Sequence, residues 1–280
     1  MAADLTILFI GDVVGRPGRR IARRGLAALR RERTIDFAVA NAENAAGGSG
    51  ITAGTVEELL GGGMDCLTTG DHAFKQAEGV KVIETDSRVL RPLNLGARAV
   101  GRGLGVYETA DGVPVAVINA QGQTFMKPID NPFRALEAAL EELGDRARVI
   151  LVDMHAEATS EKVAMGRMLD GRVSAVLGTH THIPTADEQV LPEGTAYITD
   201  VGMTGPYDSV LGRRTDRVLA AILTGMPQRF DVAARGNRLC GAIVTVDPDT
   251  GRARAIERVC VAEDDLAPDP KNAPPDGPPA

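Results

Sequence analysis

The 280-residue sequence contains no tryptophan, and aromatic residues make up only 3% of it. Its core must therefore be built from Leu, Val, Ile, Ala and Met. Cysteine is scarce: Cys66, Cys240 and Cys260 are odd in number and far apart. That pattern argues against a disulfide framework and a zinc ribbon and predicts three reduced, mostly structural thiols. Long apolar runs are missing too. The stretch MAADLTILFIGDVV at the N-terminus is too short to span a bilayer and has no basic segment before it, so a soluble cytoplasmic protein is expected. Positive charge is in deficit, with a net charge of -7 and a pI near 5.2. An acidic surface argues against binding long nucleic acid, which needs a basic footprint. Small phosphorylated ligands stay open, because a bound metal can supply local positive charge.

What is present reads as an ordinary globular chain, 44% hydrophobic and 25% charged, long enough for one large domain or two small ones. Leu5–Ile10 is a short apolar run ending in Gly11-Asp12, the pattern of a buried strand and a loop. Pro17 suits the first turn of a helix, and Ile21, Gly25, Ala28 and Leu29 form one buried stripe. The pattern then alternates. Strands are expected over 35–40, 64–67, 113–118, 149–152 and 173–177, and helices over 55–60, 131–143 and 160–169, the last capped by Ser160. The final third is richer in strands, at 196–199, 239–246 and 253–261. Such alternation predicts an α/β sheet covered on both faces. Six prolines (268, 270, 274, 275, 278 and 279) mark residues 263–280 as a flexible tail behind a domain of residues 1–262.

The four histidines, His72, His155, His180 and His182, are the only ones in the chain, and each follows an apolar strand by a few residues. Asp12, Glu43 and Asp71 occupy equivalent places. In α/β sheets ligands bind beyond the carboxyl ends of the strands. Five strand ends would thus bring Asp12, Asn41/Glu43/Asn44, Asp71/His72, His155 and His180/His182 to one rim. In an extended segment, His180 and His182 would point the same way. Three histidines, three carboxylates and at least one asparagine are too many ligands for one tetrahedral zinc. They suit two ions about 3.5–4 Å apart that share a carboxylate. Oxygen and imidazole donors without thiolate favour Fe or Mn, with Zn still open. Such a pair activates water to attack a phosphoryl group. His72, beside Asp71, is placed as the general acid, though a fourth ligating or a supporting histidine would occupy the same place.

At these residues the sequence resembles the metallophosphoesterase (calcineurin-like) superfamily, through Gly11-Asp12, Gly70-Asp71-His72 and Gly178-Thr-His-Thr-His182. It is closer still to the YmdB family of 2',3'-cyclic-nucleotide phosphodiesterases. The matching stretches are FIGDVVGRPGR (9–19), ANAENAAGGSGIT (40–52), DMHAEATSEK (153–162), GTHTHIPTAD (178–187) and ITDVGMTGP (198–206). The resemblance implies a two-sheet α/β sandwich of the calcineurin-like type in a single domain. It implies that Asp12, His182 and a nearby Asn44 hold one metal, that Asp71, His155 and His180 hold the other, and that Glu43 bridges them. A bridging hydroxide would attack while His72 protonates the leaving group. Val14 stands where the wider superfamily has a histidine, and Glu43 where it has Asp; both agree with the YmdB branch. Asp71 departs from the family Asn and adds a negative charge to the second metal.

Weaker signals surround this set. Gly47-Gly48-Ser49-Gly50 lacks the Lys-Ser/Thr of a P-loop and reads as a flexible rim. Arg16, Arg19, Arg20, Arg23 and Arg24 form a basic helix face, solvated or partly attracting anions. Asn119, Gln121 and Gln123 follow a strand and could contact substrate, and Met203 and Thr204 could line the pocket. Without His-Glu-x-x-His or Gly-x-Ser-x-Gly, metalloprotease and serine-hydrolase readings are poor. Three functions compete: phosphodiesterase, phosphomonoesterase or nucleotidase, and non-catalytic metal-binding regulator. The substrate expected is a small phosphodiester or nucleotide, with no membrane partner and a homo-oligomer possible in principle.

Overall fold

The computed structural model describes residues 3–267. The chain runs β1 (Leu5–Ile10), β2 (Asp12–Val13), α1 (Gly15–Glu32), β3 (Phe37–Asn41), α2 (Ala53–Leu60), β4 (Cys66–Thr68), α3 (Ala77–Thr85), β5 (Leu104–Glu108) and β6 (Pro114–Gln121). It continues through α4 (Pro132–Leu143), β7 (Val149–His155), α5 (Thr159–Leu169), β8 (Ala175–Thr179), β9 (Gln189–Val190), β10 (Ala196–Ile198), β11 (Met203–Pro206), α6 (Thr215–Thr224), β12 (Asn237–Val246) and β13 (Ala253–Ala262). These strands form two sheets. One has the order β2-β11-β12-β1-β3-β4, with β13 also paired to β12; the other has the order β5-β6-β7-β8-β10-β9. β1, β3 and β4 are parallel neighbours, as are β6, β7, β8 and β10. The single covered sheet read from alternation is therefore two sheets, and the two-sheet sandwich implied by resemblance is the architecture found.

The layering follows from side-chain alternation along each strand. Ile7 and Phe9 of β1, Val39 of β3, Val117 of β6, Leu151 of β7 and Leu177 of β8 share one cluster between the sheets. The intervening Leu8, Ile10 and Ala40 face α1 and α2. Ala116, Ile150, Val152 and Val176 face α4 and α5. Both faces of the central strands are buried, which is why they read as unbroken apolar runs. On α1 the buried stripe holds Ile21, Ala22, Gly25, Leu26, Ala28 and Leu29. Its basic face is paired within the fold: Arg19 and Arg23 with Glu58, Arg20 and Arg24 with Glu263.

Several local expectations change. Ser160 is not the cap of α5; Ala158 holds that position without a side-chain hydrogen bond. α2 begins earlier than expected, because Thr52 and Thr55 form a reciprocal capping box. Glu263–Asp265, at the start of the expected tail, form a 3-10 turn; residues 268–280 lie outside the described residues. Among the described residues no helix is long and apolar enough to cross a membrane.

Candidate metal centre

The inner face of the sandwich turns polar at the carboxyl ends of its strands. Two residues beyond the apolar Val39, Cys66, Val117, Leu151 and Leu177 come Asn41, Thr68, Asn119, Asp153 and Thr179, all fully buried. The same pleat brings Gln121 and His155 to this face two residues further on. Asp153 is the hub. It accepts hydrogen bonds from Thr68 Oγ1 (2.5 Å), Thr179 Oγ1 (2.6 Å) and Asn41 Nδ2 (2.9 Å). Burial raises its pKa against these bonds. Thr179 donates to Asp153, so its oxygen accepts from His155 Nδ1 at 2.9 Å. That fixes the tautomer and turns the lone pair of His155 Nε2 toward the rim.

There Nε2 of His155 lies 3.2 Å from Glu43 Oε2, 3.3 Å from Asp71 Oδ1 and 3.1 Å from His180 Nδ1. Ligand atoms of Glu43, Asp71, His155 and His180 all fall within 4.8 Å of one another, the spacing of donors around one ion. The other nitrogen of His180 is 3.2 Å from Glu157. Gly70 is obligatory for this closeness: a Cβ there would come within 2.2 Å of His155 Nε2 and 2.3 Å of Glu43 Oε2.

A second group of donors lies on the other side of Glu43. Asn44 Nδ2 is 3.0 Å from Glu43 Oε1 and 3.1 Å from His182 Nε2, which in turn is 3.8 Å from Asp12 Oδ1. His182 Nδ1 faces the Leu211 carbonyl at 3.2 Å, which leaves Nε2, met here by Asn44 Nδ2, as the nitrogen that would coordinate. Asp12 accepts the amide of His180 on Oδ2 at 3.1 Å, while its buried Oδ1 has no hydrogen-bond partner among the described residues. His72 stands at the mouth, its Nδ1 3.2 Å from Glu43 Oε1 and its side chain one-third exposed (33%).

The electrostatics fit bound cations. Among the described residues, every ion-pair partner of Asp12, Glu43 and Asp71 is a histidine. Burial pushes the Asp12 carboxyl up to about 6, against the pull of His182 and His155. Glu43 is also opposed by burial, yet His155 and His72 hold it well below the usual carboxylate range. His155 is driven well above its ordinary value, Glu43 and Asp71 outweighing burial. His180 goes the other way, down to about 4, through burial and the charge of His155. Glu43, Asp71 and Asp12 favour a proton on His155, and Glu43 and Asp71 favour one on His72. A coordinating imidazole must give up that proton, and the carboxylates then need a cation to replace it.

The model of the YmdB-like protein family matches residues 8–259. The chain belongs to that family. It is 43% identical over 262 residues to the 2',3'-cyclic-nucleotide 2'-phosphodiesterase of Bacillus subtilis (strain 168), covering 94% of this chain and 99% of that relative. It is similar to the crystal structure of a hypothetical protein from Thermus thermophilus, with 42% identity, a TM-score of 0.87 and coverage of 92% of this chain and 100% of the other. A novel phosphatase from Mycoplasma pneumoniae gives the same TM-score, 0.87, at 33% identity, covering 94% of this chain and 95% of that one.

In this YmdB-like chain the structure gathers Asp12, Glu43, Asn44, Asp71, His72, His155, His180 and His182 at one rim. Asn41 is drawn behind it as a donor to Asp153, its Oδ1 accepting the Glu43 amide at 3.1 Å. The His180-x-His182 segment is not extended. Both residues have positive φ (96° and 66°), which sends one ring to each donor group instead of both to the same side. Their backbone is held by Asp200, whose Oδ2 accepts from Thr181 N (3.1 Å) and Thr181 Oγ1 (2.8 Å). Asp200 pairs in turn with fully buried Lys162 Nζ at 2.7 Å. Sequence reasoning gave Asp153, Lys162 and Asp200 no role. The available signal was their place inside the resembling stretches DMHAEATSEK and ITDVGMTGP. Met203 and Thr204 are buried in β11, where they pair with Asp12 and Val13. The rim loop at Gly47-Gly48 is held by Arg213, which donates to both carbonyls.

Proposed function

We propose that the chain hydrolyses 2',3'-cyclic nucleotides or closely related phosphodiesters at a two-metal centre. The chain is a hydrolase by family. Asp12, Asn44 and His182 would hold one ion, Asp71, His155 and His180 the other, and Glu43 would serve both. The observation that carries this reading is the position of Glu43, with Oε1 toward one donor group and Oε2 toward the other. The donor set, oxygen and imidazole without thiolate, suits Fe or Mn, with Zn also compatible. Bound dications polarise a phosphoryl group and acidify a water placed between them.

The protein's own groups do the rest. Because His72 Nδ1 faces Glu43, it is a proton on Nε2, 3.9 Å from Asp71 Oδ2, that would pass to the leaving oxygen. A cleft of about 240 Å³ opens beside Asp71, lined by Phe74, Leu95, Gln121 and Lys127. It offers an apolar wall for a base, and Gln121 brings a buried Oε1 that has no hydrogen-bond partner among the described residues. The name of the Bacillus relative, a 2',3'-cyclic-nucleotide 2'-phosphodiesterase, supports the substrate class. The filled ligand positions disfavour a purely regulatory role.

The test is hydrolysis of 2',3'-cyclic AMP with added manganese, beside a phosphomonoester, a chelated sample and His72→Ala. Turnover of the diester alone is expected, lost on chelation and reduced roughly 10²–10⁴-fold in His72→Ala with metal retained. Turnover of the monoester alone would replace this reading with a phosphomonoesterase. No turnover with both metals bound would leave a binding protein.

A further inference from the structure

We propose that Cys240 and Cys260 form a reversible disulfide, with exposed Cys260 as the thiol that a hydroperoxide oxidises first and Cys240 as the thiol that resolves it. The pair joins β12 to β13 in the first sheet, and the hydrolytic reading plays no part in the proposal.

The geometry comes from the ladder. Cys240 on β12 and Cys260 on β13 are directly opposite in antiparallel register. The Cys240 carbonyl accepts the Gly11 amide at 2.9 Å, and its own amide donates to Thr204 Oγ1 at 3.2 Å. In an antiparallel strand the N–H and C=O of one residue point to the same side. Both groups of Cys240 therefore point away from β13, which makes Cys240–Cys260 a non-hydrogen-bonded pair. Opposed Cα atoms in such pairs are about 4.5 Å apart, with side chains at their closest. That falls within the roughly 4.4–6.8 Å that a disulfide spans. The two Sγ atoms are already 3.7 Å apart, with both thiols free.

The two thiols have unlike surroundings, which assigns their roles. Cys260 is exposed; Cys240 is buried, at 2% exposure. A hydrogen bond from Cys240, against opposing burial and with help from the Arg238 charge, draws the Cys260 thiol down to about 6. Cys240 is pushed up. Thiolate character plus exposure is what selects a cysteine for oxidation. The Tyr207 hydroxyl lies 3.0 Å from Cys240 Sγ, and Arg238 stacks 5.1 Å over the Tyr207 ring, so both side chains are anchored beside the pair. Cys66, fully buried and raised to about 12, is an internal control.

The reaction balances with a hydroperoxide as oxidant. The Cys260 thiolate attacks the O–O bond, gains oxygen as a sulfenic acid, and the peroxide leaves as alcohol or water. Cys240 sulfur then attacks Cys260 sulfur, the S–O bond breaks, and the oxygen leaves as water with the thiol proton. Two thiols lose two electrons, and the peroxide gains them.

The test treats reduced full-length protein with hydrogen peroxide, then counts thiols after denaturation and maps linked peptides by mass spectrometry. Two of the three thiols should disappear from each chain, joined as a Cys240–Cys260 peptide, and return with a thiol reductant. In Cys240→Ser, Cys260 should carry added oxygen instead; in Cys260→Ser, both remaining thiols should survive. The proposal is overturned if wild-type Cys260 takes up oxygen while Cys240 stays free. It is equally overturned if the linkage joins two chains, or if all thiols persist at a dose that oxidises Cys260 in Cys240→Ser.

Discussion

His155 and the His180/His182 pair reach the same rim by different physical means. His155 ends strand β7, and the pleat alone aims it inward. Its Nδ1 is steadied by Thr179 and through it by Asp153, so the anchor is a chain of short hydrogen bonds inside the sandwich. His180 and His182 sit on a loop in the left-handed region, a conformation that costs energy outside glycine. Their anchor is a buried ion pair, Lys162–Asp200, acting on the intervening Thr181. One ligand is placed by secondary structure; the other two are placed by tertiary support that keeps a strained turn in one shape.

Four substitutions would break or sharpen this contrast. The largest effect is expected where the two means meet. Glu43→Ala should remove metal from both donor groups and lower diesterase activity roughly 10³-fold or more, read by metal analysis and kcat. Retention of two metals per chain would show that Glu43 is not shared. Next, Lys162→Met should strand the Asp200 carboxylate. Both partners are fully buried, so a loss of about 3–5 kcal/mol is expected in denaturant unfolding. Metal affinity should fall with it, because the loop loosens, while His155 keeps its place. A variant of unchanged stability would refute the loop-anchor account.

Thr179→Val tests the strand side. It cuts the relay between His155 and Asp153, and metal affinity should drop roughly 10–100-fold by titration, with little change in the His180–His182 turn. The smallest effect is expected from Asp71→Asn, which installs the residue that the resemblance led one to expect there. It removes one charge from the Glu43/Asp71/His155/His180 group and should weaken metal binding there by a few-fold, roughly 1 kcal/mol at a partly exposed carboxylate. Equal affinity and rate in both proteins would mean that Asp71 is not a ligand.

The unevenness in what the sequence disclosed has the same origin. Leu5–Ile10, Val149–Val152 and the α1 stripe were legible because strand and helix burial repeats at fixed intervals. α6 was not read, and it departs from that pattern: none of its residues is buried, and Leu219, Ile222 and Leu223 are exposed. β2, β9 and β11 are too short to carry a period. The eight rim residues were legible because each follows an apolar run. Asp153, Lys162 and Asp200 were hidden, since a charged residue in a sequence gives no sign that it is buried or what it meets.

By itself, then, the sequence determined most of the apolar strands, which residues stand at their ends and which chemistry those residue types support, because these are local properties of pattern and donor atom. Only the tertiary structure decided that the strands divide into two sheets, that His180 and His182 turn to opposite sides of Glu43, and that Cys240 meets Cys260. Those facts depend on contacts between segments far apart in the chain, which no local period encodes.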